Sequence, residues 1–121
     1  MAKREIAREQ WAEFFRAFTT DYAGRLVSLG IDGTHEKRES MAIEARELPL
    51  REIAVDLKDK ESAVVISLGL SEDKLLRHSI LAVSHVRVTR TEDGYESALE
   101  IESMNHQTTT VNLNIPIAPK L

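Results

Sequence analysis

The residues best suited to ligate a metal or move a proton are the four histidines, His35, His78, His85 and His106, because the chain has no cysteine. That absence excludes disulfides, thiolate catalysis and Cys-ligated zinc, and is compatible with a reducing cytoplasm. His78 and His85 have opposite parity along the chain, so in an unbroken strand they point to opposite faces and cannot share a metal, unless a bulge lies between them. No H-x-H, H-x-x-x-H or H-E-x-x-H spacing occurs. The histidines therefore read as surface or hydrogen-bonded structural residues, with no metal and no cofactor expected.

Glu100 and Glu102 share a strand face and could form an acid-base pair, but one wet face of a sheet carries such residues routinely. Asp56 follows Ile53-Ala54-Val55 close to Pro49, where it serves either as a turn cap or, with His78, as the core of a small ligand-binding barrel or enzyme site. Arg77, His85 and Arg87 share one parity and make a basic stripe. It would bind an anion or RNA, or pair with Glu100 and Glu102 on the neighbouring strand. A net charge of −4 argues against broad phosphate-backbone binding. Ser79 and Ser84 lack the G-x-S-x-G context of a nucleophile, and the scattered glycines form no phosphate loop.

These residues need elements to position them. Ala7, Trp11, Phe14, Phe15, Phe18 and Tyr22 recur at the spacing of one helical face, which predicts an amphipathic helix over about residues 5–22, with Gly24 as its stop. Lys3 and Arg4 oppose the helix dipole, so the start is expected to fray. The aromatic stripe reads as core, with Phe14 or Tyr22 at its accessible rim. Beyond Gly24 the period changes to two. Val27-Leu29-Ile31, Met41-Ile43-Ala45, Ile53-Val55-Leu57, Val64-Ile66-Leu68, Leu99-Ile101 and Val111-Leu113-Ile115 alternate as strands. Pro49 implies an edge, a bulge or a corner, past which strand two either continues or gives way to a third strand. Leu76 to Arg90 mixes parities, which predicts a strand apolar on both faces or a face-switching bulge near Ala82 to Ser84. Turns are expected at Lys58-Asp59-Lys60-Glu61, at Asn105-His106 and, as a hairpin, at Asp93-Gly94.

The resulting fold class is α+β, mainly β: an N-terminal helix on an antiparallel sheet or small, partly open barrel of roughly six or seven strands. At 121 residues it reads as a single domain, with strands over about 24–115 and a tail at 116–121. No apolar run is long enough to span a bilayer, and Glu5, Arg8, Glu9 and Glu13 interrupt any signal sequence, so a cytoplasmic location without membrane attachment is expected.

Trp11-Ala-Glu-Phe14-Phe15-x-x-Phe18, then Leu48-Pro49-Leu50-Arg51-Glu52-Ile53-Ala54-Val55-Asp56, His78-Ser-Ile80 and Leu99-Glu100-Ile101-Glu102-Ser103 together resemble a family of small bacterial domains of unknown function. The resemblance runs from about Trp11 to Ile115. It implies a stand-alone bacterial domain and supplies no activity or catalytic residues. The layout of a helix followed by bent strands also looks like the Sm-like barrel, whose members bind RNA, although no Sm sequence motif is present. The reading that best fits the residues is a non-enzymatic interaction or assembly module that uses a sheet edge or helix flank for a protein partner or for itself. An RNA-binding barrel, using Arg77, His85 and Arg87, is the alternative.

Overall fold

The computed structural model describes residues 2–32, 42–57, 62–69, 71, 73, 75–92 and 96–113. The helix α1 spans Trp11–Tyr22 and buries Trp11, Phe15, Phe18 and Tyr22 along one stripe, with Phe14 half-buried at its rim. Helical spacing and aromatic bulk thus produce the expected result: one face packs against an aliphatic sheet.

The helix begins later than its periodicity suggests. Ala2–Glu5 is a strand, β1, and a 3-10 turn at Arg8–Gln10 follows before α1 starts. Two bonds at residue 6 explain the correction. The Ile6 N–H donates to the Val86 carbonyl at 2.8 Å, and the buried Trp11 indole N–H donates to the Ile6 carbonyl at 2.9 Å. With both backbone groups of Ile6 engaged outside a helix, Ala7 stays extended and exposed, so it is not part of the aromatic face.

Seven further strands follow: β2 (Leu26–Asp32), β3 (Ala42–Asp56), β4 (Ala63–Gly69), β5 (Leu75–Leu81), β6 (Val83–Arg90), β7 (Glu96–Ser103) and β8 (Thr108–Leu113). They form one antiparallel sheet in the order β1-β6-β7-β8-β2-β3-β4-β5, open rather than closed into a barrel. The eight strands among the described residues exceed the six or seven expected, because Ala2–Glu5 adds an N-terminal strand too short to show a period and the stretch from Leu75 to Arg90 divides in two.

Both bends act where the sequence signals them. The long β3 runs through Pro49: up to there it pairs with β2, and from Leu50 onward with β4. A residue without an N–H is tolerated at that hand-over, where one partner strand ends and the next begins. Ala82 takes φ 53° between β5 and β6, and the register against β7 shifts between Val83 and His85. That corner moves the buried side from Ile80 to Val83, Val86 and Val88.

The core lies between α1 and the sheet: Val27, Leu29, Leu50, Ile53, Val64, Ile66, Leu68, Val86, Val88, Leu99, Ile101 and Val111 are each 2% exposed or less. Where β2 stops, the same side of β3 is covered by the chain leaving the helix. Gly24 N–H donates to Leu50 O and Leu50 N–H to Arg25 O, both at 2.8 Å. Gly24 holds φ 87°, a conformation that costs a glycine little. Further along, the Thr19 hydroxyl accepts from Ile53 N–H at 3.0 Å and donates to Ile53 O at 3.3 Å. One side chain substitutes for a missing strand.

The turns expected at Lys58 to Glu61 and Asp93-Gly94, the residues Met41 and His35, and the tail at 116–121 lie outside the described residues. No described helix is long and apolar enough to cross a membrane.

Candidate functional site

The sequence stripe Arg77, His85 and Arg87 does not survive as one surface, because the corner at Ala82 places Arg77 on β5 and the other two on β6. Arg87 sits at the centre of an ionic network on the outer face of β1, β6 and β7. Its Nη2 donates to Glu102 Oε1 at 2.8 Å, with Glu5 Oε1 at 3.7 Å from Nε and Glu100 Oε1 at 3.8 Å from Nη1. His85 Nδ1 is 2.7 Å from Glu5 Oε2, Lys3 Nζ is 3.0 Å from Glu100 Oε2, and His106 Nδ1 is 3.5 Å from Glu102 Oε2. The register explains the convergence: Glu5 faces Arg87, which faces Glu100, so all three lie in one cross-strand row. The Arg87 hydrogen bond holds the Glu102 carboxyl below its ordinary range, with His106 adding to the effect and partial burial opposing it. This is the wet-face pairing with Glu100 and Glu102. Its partners from β1, Lys3 and Glu5, carry no sequence signal, because a four-residue strand is too short to show a period and its charges fit a fraying helix start equally well.

His78 lies on β5 opposite Ile66 and thereby shares the inner face of the sheet, where its Nε2 is 3.5 Å from the Oγ1 of buried Thr109. Asp56, exposed at the end of β3, pairs across to Ala63, and Ala63 to Leu81. Two strands across and three residues along separate the two Cα atoms by ~14 Å, with side chains on opposite faces. The sheet does not bring them together. Among the described residues, no group of three or more His, Cys, Asp or Glu is placed to hold a metal ion.

Arg77 instead joins Arg51, Glu52, Ser67, Thr19 and Leu75 around an open depression of about 530 Å³. Glu52, Ser67 and Arg77 form a cross-strand row, and a bulge between Leu50 and Glu52 leaves Arg51 without an opposite residue on β4. Neither arginine has an ion-pair partner among the described residues.

Beside this depression runs the outer edge of β5, the last strand in the sheet order. Its residues are Leu75-Leu76-Arg77-His78-Ser79-Ile80-Leu81, with Leu81 64% exposed. All seven pair in regular register with β4, and among the described residues no strand pairs with the other edge, toward which alternate residues direct their backbone groups. Met104, 69% exposed, adjoins its far end, since the Met104 N–H donates to Ala82 O at 2.8 Å. The charges here are visible in the sequence, whereas the edge itself depends on sheet order.

Fold and site define a helix-backed open antiparallel β-sheet protein with one apolar terminal strand beside two arginines that have no ion-pair partner among the described residues. The chain belongs to the family of unknown function DUF5335, whose model matches residues 2–120. No match was found among curated proteins or solved structures.

Proposed function

We propose that this protein is a non-enzymatic interaction or assembly module of the bacterial cytoplasm, a single domain that accepts a partner strand along the outer edge of β5. The observation that carries the reading is the character of that edge: seven regularly paired residues, five of them leucine, isoleucine or histidine, with one formal charge. Such edges are ordinarily blunted by charge, proline or a covering element, and strand addition is a common mode of peptide recognition. Arg77 would give the incoming strand's outward side chains a charge contact. In this reading His85, Arg87 and their carboxylate partners hold β1 in place, and His78 and Asp56 serve the fold. Binding of RNA is less well supported, because Arg87 already faces three carboxylates and His85 faces one.

A photo-crosslinking amino acid placed at exposed Ser79, in the native host, tests this against the same label at Arg4 on β1. A discrete protein adduct from position 79 and none from position 4 is expected. Equal adducts from both positions, or none from 79, would overturn the reading.

A further inference from the structure

We infer that the strand seated on β5 is β5 of a second copy of this chain, running antiparallel about a two-fold axis through His78. The inference rests on the reading that the β5 edge takes a partner strand, and it names that partner.

The heptapeptide Leu75-Leu76-Arg77-His78-Ser79-Ile80-Leu81 has the same polarity pattern in both directions. Antiparallel pairing centred on His78 sets Leu75 against Leu81, Leu76 against Ile80 and Arg77 against Ser79. Opposite residues in an antiparallel pair share a face. The inward residues Leu76, His78 and Ile80 of one copy therefore continue the inner face of the other, and Arg77 and Ser79 stay together outside. Leu81, the most exposed residue of the strand, gains an apolar neighbour.

Charge selects this register. The neighbouring face-preserving registers are centred on residues 77 and 79. The first sets Arg77 directly against Arg77, and like charges directly opposite are destabilising. The second sets Arg77 against Leu81 and carries Leu75 beyond the strand end. Only the central register gives every charged residue a small polar partner and every leucine an apolar one. The opposite end of the sheet fails the same comparison. β1 carries exposed Lys3, Arg4 and Glu5 in four residues, and two copies joined there would bring those charges together.

The test uses the full chain, whose lack of cysteine makes any introduced thiol unique. Mixed Arg77→Cys and Ser79→Cys proteins are expected to form a disulfide heterodimer under mild oxidation, well ahead of either variant alone. In sedimentation equilibrium the unmodified chain is expected to dimerise. Ser79→Glu places a carboxylate opposite each Arg77 and should tighten the dimer roughly two- to thirty-fold, and Ser79→Arg should weaken it comparably. Position 79 is exposed, so neither change disturbs the core.

A strictly monomeric chain, an association indifferent to charge at 79, or preferential self-linking of Arg77→Cys would each overturn the two-fold arrangement. If the crosslinker at 79 then captures a different protein, the edge still takes a partner and only its identity as a second copy fails. If it captures nothing, both fail.

Discussion

The sheet ends in two strands that meet solvent in opposite ways. β1 is four residues long, carries Lys3, Arg4 and Glu5, and is tied to its neighbours through the Arg87 network. β5 is seven residues long, nearly uncharged, and lies beside arginines whose partners are not within the described residues. A third stretch of edge, the second half of β3, is closed by Thr19 from the helix. Among the described residues one sheet therefore shows three treatments of its edges: charge on β1, capping by a hydroxyl on β3, and on β5 a strand that pairs on one side only. The contrast with the two protected stretches is what the proposed strand addition at β5 builds on.

The contrast can be broken most forcefully at Trp11, which is 2% exposed and bonds the carbonyl of Ile6 just after β1. Trp11→Ala is expected to cost ~3–5 kcal/mol, the range of large core truncations. Urea titration reads the loss, and hydrogen exchange at residues 2–6 should rise with it, since β1 loses its anchor.

The next effect is an alkaline one. Burial, followed by the hydrogen bond to and the charge of Glu96, pushes the Tyr22 phenol up from 10.0 to about 12. A group whose pKa is raised by folding contributes fully below its unfolded value and loses that contribution as pH rises through the folded one. Between pH 10 and about 12 the protein should lose on the order of 2 kcal/mol through this group, and Tyr22→Phe should flatten that limb of a melting-temperature profile.

Thr19→Val keeps the shape and removes the hydroxyl. Leaving the partly buried Ile53 N–H and C=O unsatisfied should cost about 1–2 kcal/mol, while Thr19→Ser should retain most of the stability. Faster exchange of the Ile53 amide in Thr19→Val, with other core amides unchanged, would locate the effect on that edge.

The smallest effect sharpens the β1 side. Because Arg87 lowers the Glu102 pKa, that carboxylate contributes stability above the ordinary value of 4.5 and loses it as pH falls through the lowered one. At partial exposure the contribution should be about 1 kcal/mol or less. Glu102→Gln should reduce the acid sensitivity of the melting temperature, and salt should shrink the difference between the two proteins.

Much of this architecture could be read from local patterns. The aromatic helix, the corner at Pro49 and the face switch near Ala82 each rest on residues close in sequence whose spacing or chemistry is visible directly. Pairing of Arg87 with Glu100 and Glu102 was also legible, because a hairpin sets those strands side by side. What could not be read depends on distant pairing. β1 is too short to show a period, and Lys3 and Arg4 make sense as an edge only once β6 lies beside them. Thr19 looked like a poor helix residue, and its value appears only when Ile53 is placed next to it. The open edge of β5 is a property of strand order, which no single stretch encodes.

The pairing of β1 with β6 also sets a timetable. Lys3 and Glu100, bonded in the folded protein, are 97 residues apart along the chain. At ~5–20 residues per second on the ribosome, the N-terminal strand waits several seconds for β6, its partner. Throughout that interval α1 can rest on β3, its principal neighbour, but lacks the apolar side chains of β6, β7 and β8 that complete the core. Folding should therefore be slow for a chain of this size, limited by long-range closure, and the nascent chain should depend on chaperone shelter until β6 and β7 emerge.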